Sequence, residues 1–308
     1  MSSPPQSPPP STQFHPRFNT EVFMIAFSVE GQGFKANAAQ LCIHSEVIRT
    51  MLHGDGTDQG TGKLGVNGEG SAERPIVIHG CSASTFANFM TWLNHAAWEE
   101  PGINGVQGYL DVLHMTHLWE MRDGFTFAVN ALSQLSLRSA HKIYLAKRYG
   151  IPQWIPVAVR LLLLLPLDEY TADDYHHLGY TSFIEIAKGK DMVARTRTRC
   201  GFVAPYPTGP SALDGAPYCS TPESCKRIWF ESWGKDMMRR ILNPKTPLRL
   251  SHVPEALRSM SHSGMHTTCK AYLINWMETS PTGFDMEEKE NVKVITAITE
   301  GATVNIIS

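Results

Sequence analysis

From Val22 to Val29 the chain alternates, with Phe23, Ile25, Phe27 and Val29 on one side and smaller residues on the other. A period of two marks a half-buried strand. Gly31-Gln-Gly33 predicts the turn out of it, and Phe34 resumes extended chain. Asn37 with Gln40 at N3 has capping-box spacing, which predicts a helix carrying Leu41, Ser45, Ile48 and Leu52 on one face. Residues 54–74 hold seven glycines and almost no apolar side chain, so they read as a long loop. Pro75 to His79 is a short strand. Ser82 or Ser84 then caps a helix with Phe86, Phe89, Met90 and Leu93 at i, i+3, i+4 and i+7.

From Gly108 onward the period becomes helical. Val112, Met115 and Trp119 share a face, and Phe125, Ala128, Leu132 and Leu135 repeat it. Ser139 caps the next predicted helix, which stops at Gly150, and Ile151-Pro152 marks a boundary. Pro156 suits only a first turn, so the following helix is placed from there. Leu161 to Leu165 is apolar on every side and predicts a helix buried between modules. Thr171 with Asp174 at N3 opens a short helix closed by Gly179. The next one ends among Arg195, Arg197 and Arg199, where basic groups suit the helix dipole and read as a solvated face. Residues 203–218 are rich in proline and glycine. Beyond them Trp229, Trp233, Met237 and Ile241 form a stripe spaced by four, and Cys269, Tyr272, Leu273 and Trp276 form another. In the last segment Val292, Ile295 and Ile298 fit a helix, whereas Val304 and Ile306 alternate as in a strand.

Composition narrows the function classes. Charged residues make up 18% and the net charge is −2, which argues against nucleic acid or anionic membrane as the main partner. The first seventeen residues, proline-rich and without basic and apolar blocks, read as a disordered tail and not a signal peptide. No apolar run is long enough to span a bilayer. The expected compartment is intracellular, cytoplasmic or nuclear, so the six cysteines are expected as thiols or metal ligands.

The residues Phe27-x-Val29-Glu30, Phe34, Leu41, Ser45, Ile48, Met51-Leu52, Pro75-Ile76 and Phe86-x2-Phe89-x2-Trp92-Leu93 together resemble the BTB/POZ domain, a protein-interaction fold. The whole chain is similar to the BTB-domain proteins abundant in mushroom-forming fungi. In that family the passage matching Leu145, Ala146, Tyr149, Ile151 and Trp154 leads into a helical extension. The resemblance implies an α+β fold, with a small sheet covered by helices and then a mostly α-helical C-terminal region. It implies a tail at 1–17, a BTB/POZ-like domain at 18–150, a helical extension at 151–202 and a C-terminal helical module at 203–308. It also implies protein partners, self-association among them, and for some relatives recruitment of a Cullin-type ubiquitin ligase. The contact positions it implies are Phe18, Glu21, Asn37 and Ile48, with core packing the favoured role for Ile48. Asn37 stands where the family usually has histidine, Ile48 where it has an aromatic residue, and Glu21 where it has aspartate.

One constellation has metal-like spacing. Cys219 and Cys225 precede the Trp229 helix, and His266-x2-Cys269 opens the next, with both side chains on one face. Two close pairs totalling Cys3His suit tetrahedral, structural zinc; the other reading is of buried thiols packing as small apolar residues. In the fungal branch the chain resembles, paired cysteines sit at about these places, the second pair as C-x2-C, with His266 here at the first position. Catalytic patterns are poor. Gly60-Thr-Gly62-Lys-Leu-Gly65 lacks the flanking strand and helix of a dinucleotide site. Gly80-Cys-Ser-Ala-Ser84 stops a glycine short of a nucleophile elbow. A hydrolase-type enzyme using His176, His177 and Asp174 is the rival reading, although no spacing argues for it.

Overall fold

The computed structural model describes residues 23–53, 69–95, 101–207, 219–279 and 284–304. The chain divides into two compact units, Met1–Ser136 and Leu137–Ser308. It is α+β, mostly helical, with a small mixed sheet near the N-terminus.

In the first unit β1 (Met24–Val29) and β2 (Gln32–Asn37) form an antiparallel hairpin. The turn is Glu30-Gly31, at φ 50° and 79°, and not Gly31 to Gly33 as the glycines suggested. Two left-handed residues match the twist of a two-residue hairpin. Glu30 accepts its strain because its carboxylate is used elsewhere, taking a hydrogen bond from the Ala83 backbone N–H at 2.9 Å. Ile25, Phe27 and Val29 are fully buried, but Phe23 precedes the strand and is exposed.

The helix expected from Asn37 to Leu52 is two helices, α1 (Ala38–His44) and α2 (Glu46–His53). Asn37 caps α1 as expected, whereas Gln40 does not complete a capping box; its amide donates to the Leu93 carbonyl. Ser45, at φ −136°, breaks the run. Its buried hydroxyl accepts from Ile48 N–H at 3.0 Å and donates to the Trp119 carbonyl at 2.6 Å.

β3 (Ile76–Ile78) pairs in parallel with β1, Phe27 opposite Ile76, giving the order β2-β1-β3. Ser82 then caps α3 (Ala83–Leu93), accepting from Thr85 N–H at 3.1 Å. With α4 (Gly105–Leu118) and α5 (Arg122–Gln134) this helix covers the sheet around one aromatic knot. Phe89 meets Trp119 edge-on at 5.1 Å, and Phe27 and Phe86 lie 5.7 and 5.8 Å from the same indole. Asp111 is a buried carboxylate satisfied by Thr85, Asn88 and Gln107.

The second unit opens with α6 (Ser139–Tyr149), so this helix belongs with the C-terminal region and not with the sheet. Ser139 is its first helical residue and makes no cap. A 3-10 turn at Pro152–Trp154 leads into α7 (Ile155–Leu164), with Pro156 in the first turn. The leucine run is not buried all round: Leu162 and Leu163 are buried, while Leu161 and Leu164 are 53% and 41% exposed. α8 (Ala172–Phe202) begins with the predicted Thr171–Asp174 capping box and is interrupted at Gly179. Arg195, paired with Asp191 at the surface, and Arg199 are exposed as the solvated-face reading expects, whereas Arg197 turns inward to the buried Glu287.

The tryptophan stripe is continuous through α9 (Pro222–Ser232), a π-helical turn (Trp233–Met237) and α10 (Met238–Ile241). Trp229, Trp233, Met237 and Ile241 are all buried against α11 (Val253–Ser259) and α12 (Thr267–Thr279). The terminal segment is helical, α13 (Met286–Val304), and Ile306 lies outside the described residues. Among the described residues no helix is long and apolar enough to cross a membrane.

Candidate metal centre

Two helix starts build the site. Cys219 precedes α9, whose first turn holds Pro222 and Cys225; the Cys225 N–H is bonded to the Thr221 carbonyl at 3.1 Å. On the other side Gly264, at φ 86°, turns the chain into α12. The positive φ favours glycine, and a Cβ there would stand 3.2 Å from Ile228 Cδ1 on α9. His266 follows two residues on, and Cys269 sits in the first turn of α12.

The Sγ atoms of Cys219, Cys225 and Cys269 and a ring nitrogen of His266 all lie within 4.8 Å of one another. Cys219 and Cys225 are 3.8 Å apart at sulfur, too far for a disulfide. Zn–S bonds of about 2.3 Å at tetrahedral angles put sulfurs about 3.8 Å apart. Cys225 and Cys269 are fully buried and Cys219 and His266 partly so. The His266 backbone N–H also points at the Cys225 sulfur at 3.5 Å, a contact that suits a thiolate.

The thiols are unequal. Burial and the neighbouring thiols push Cys269 up to about 12. Burial also opposes ionisation of Cys219, but hydrogen bonds from Cys269, the Thr221 backbone and Cys225 outweigh it and bring its pKa down. Crowded sulfurs thus hold protons that a divalent cation would displace. All six cysteines are free, and among the described residues this is the one group of three or more His, Cys, Asp or Glu side chains placed to hold a metal. The residues fit zinc by donor type, spacing and burial. Both predicted pairs therefore converge, with the core of the unit packed around them.

The predicted contact positions do not converge in this way. Phe18 and Glu21 lie outside the described residues. Asn37 is used as a helix cap, its Oδ1 accepting from Ala39 N–H at 3.0 Å. Ile48 is 2% exposed and packs in the core. In the rival enzyme site, Asp174 is buried and saturated, accepting from Arg138 Nε, Arg138 Nη2, Thr171 N–H and the Thr171 hydroxyl. His177 lies stacked on His141 at 4.3 Å and not against Asp174. The sequence reading missed Asp111, for which a polar residue at the buried spacing of a helix was the available signal, and it placed Ser45 on the buried face without the helix break that Ser45 makes. Comparison with family models, curated proteins and solved structures finds no match.

Proposed function

We propose that the chain is a non-catalytic protein-binding module: its first unit is BTB/POZ-like and self-associates, and its second is held together by zinc on Cys219, Cys225, His266 and Cys269. Support for the first part comes from the order strand, strand, helix, helix, strand, helix with a small sheet under helices. The observation that carries it is a row of apolar side chains turned away from the core. Ile43 on α1 and Val47 and Met51 on α2 are 73%, 40% and 42% exposed, although the opposite face buries Leu41 and Ile48. Val47 and Met51 lie one turn apart on α2 and Ile43 is on α1 before the break, and exposed apolar side chains so grouped suit contact with another chain. A second copy is the simplest partner, because an apolar row on one protomer meets the same row on the other across a two-fold axis.

The zinc reading rests on closure of the ligand set. Four protein ligands leave no open position for substrate or water, which is the structural and not the catalytic arrangement. Sedimentation velocity of the full chain across a concentration series tests the association. A monomer–dimer transition abolished by Ile43→Asp and Met51→Asp is expected; a monomer at every concentration overturns it. Elemental analysis of the purified protein tests the metal, with one equivalent of zinc expected and none refuting it.

A further inference from the structure

From Met237 to Pro254 the chain carries Arg239, Arg240, Lys245, Arg249 and His252 and no carboxylate, in a protein that overall has 27 basic and 29 acidic residues. The fold gathers these groups. Asn243 Oδ1 accepts from the N–H groups of Lys245 and Thr246 at 2.9 and 3.1 Å, and Leu248 N–H returns to the Arg240 carbonyl at 2.8 Å. The loop after α10 is thereby folded back, and Arg240, Asn243, Thr246, Arg249 and His252 border one open groove. Pro247 and Leu248 line it as half-buried apolar surface.

These cations are not tied up in ion pairs, although Arg249 also borders a neighbouring cavity with Glu287 and Glu288. Among the described residues Arg160, Arg197 and Arg258 each hold a carboxylate, but no ion pair is formed by Arg239, Arg240, Lys245 or Arg249. Arg249 feels Glu288 only through space, and that carboxylate is already bonded to Arg160 and Asn291. The dipole of α10 accounts for cations in its last turn, Arg239 and Arg240. It does not account for Arg249 and His252, which come from the following segment to the same groove.

Two guanidinium groups with a hydroxyl, an amide and an imidazole match a phosphate monoester, a dianion with three terminal oxygens, better than a single carboxylate. No Phe, Tyr or Trp borders the groove for a base to stack on, and the patch is short, which disfavours nucleotide and nucleic acid. No large exposed apolar residue borders it to enter a bilayer. An open groove with apolar walls beside the cations suits an extended segment. We propose that this groove docks a phosphorylated segment of a partner protein, with Arg240 and Arg249 gripping the phosphate. The choice of a peptide as the bearer rests on the protein-binding reading above; the groove and its charge do not.

The test passes two degenerate heptapeptide pools over the immobilised full chain, one with a central phosphoserine, phosphothreonine or phosphotyrosine and the other unphosphorylated. At least tenfold greater retention of the phosphorylated pool is expected. Arg240→Gln and Arg249→Gln should each reduce that retention about fivefold or more. Arg227→Gln on α9, whose side chain pairs with Glu231, serves as the control and should change nothing. Equal retention of the two pools overturns the proposal, as does undiminished retention by the two groove variants with unchanged circular dichroism. Displacement by inorganic phosphate at concentrations as low as those of the peptide overturns a peptide occupant, and so does binding only to phosphoinositide-containing vesicles. The groove variants should leave the sedimentation behaviour unchanged, so failure here is distinguishable from failure of self-association.

Discussion

Asp174→Asn should destabilise the second unit by about 2 kcal/mol at neutral pH, and the loss should vanish in acid. The carboxylate is 1% exposed, caps α8 through Thr171 and receives two guanidinium N–H groups from Arg138. The Arg138 hydrogen bonds, opposed by burial and helped by those of Thr171, bring its pKa from an ordinary 3.8 to about 2. A difference of nearly two units at about 1.36 kcal/mol each gives about 2 kcal/mol of order-of-magnitude stabilisation. The folded pKa lies below the unfolded one. The contribution is therefore complete above about pH 5 and is lost as pH falls through 4 towards 2. Arg138 is 52% exposed, so freeing its charge adds little. Urea unfolding of wild type and variant from pH 7 to pH 2 checks this. A zinc site also loses its ion in acid, but that loss is common to both proteins and cancels in the difference. A double-mutant cycle with Arg138→Gln should show that the arginine change costs little once the aspartate is gone. Equal midpoints at pH 7, or a difference that persists at pH 2, would refute the reasoning. The outcome also bears on the rival enzyme, because a carboxylate that spends its lone pairs on a cap has none left for proton transfer.

Four further outcomes follow from the same geometry. Cys269→Ser removes a ligand from a fully buried position, so zinc content should fall well below one equivalent. Chelation of the wild type should cost about 4 kcal/mol if free zinc stands at a thousand times its dissociation constant; differential scanning calorimetry reads it, and no shift would contradict a structural ion. Ser45→Ala strands the Ile48 N–H and the Trp119 carbonyl together, and a loss of about 1–3 kcal/mol is expected in urea titration. Gly124→Ala would set a methyl group 2.4 Å from Thr116 Cγ2 and 2.6 Å from the Trp92 ring. That overpacking should cost about 1–3 kcal/mol, and Trp92→Phe should recover part of it.

What could be read in advance was what neighbours along the chain decide. The Ser82 cap, the Thr171–Asp174 box, the Gly179 break and the Trp229–Ile241 stripe depend on residues within one or two turns, and each appears as expected. The break at Ser45 was hidden because the group that rewards it, the Trp119 carbonyl, lies 74 positions away. Glu30 escaped for the same reason: its carboxylate reaches Ala83 across 53 positions. For the leucine run, composition could not tell which face of α7 would be left open. Spacing identified each half of the cysteine–histidine cluster, but only the turn at Gly264 brings the halves together.

That junction has a consequence for the denatured chain. Cys225 and His266 are 41 positions apart, so an ion gripping both pairs closes the intervening segment into a ring. By the chain-entropy argument used for covalent cross-links, a ring of that size lowers the disorder of the unfolded ensemble by about 4 kcal/mol. A polypeptide that kept its ion in denaturant would begin refolding with α9 and α12 already tethered, and the tryptophan-lined core between them would be the first part of that unit to form.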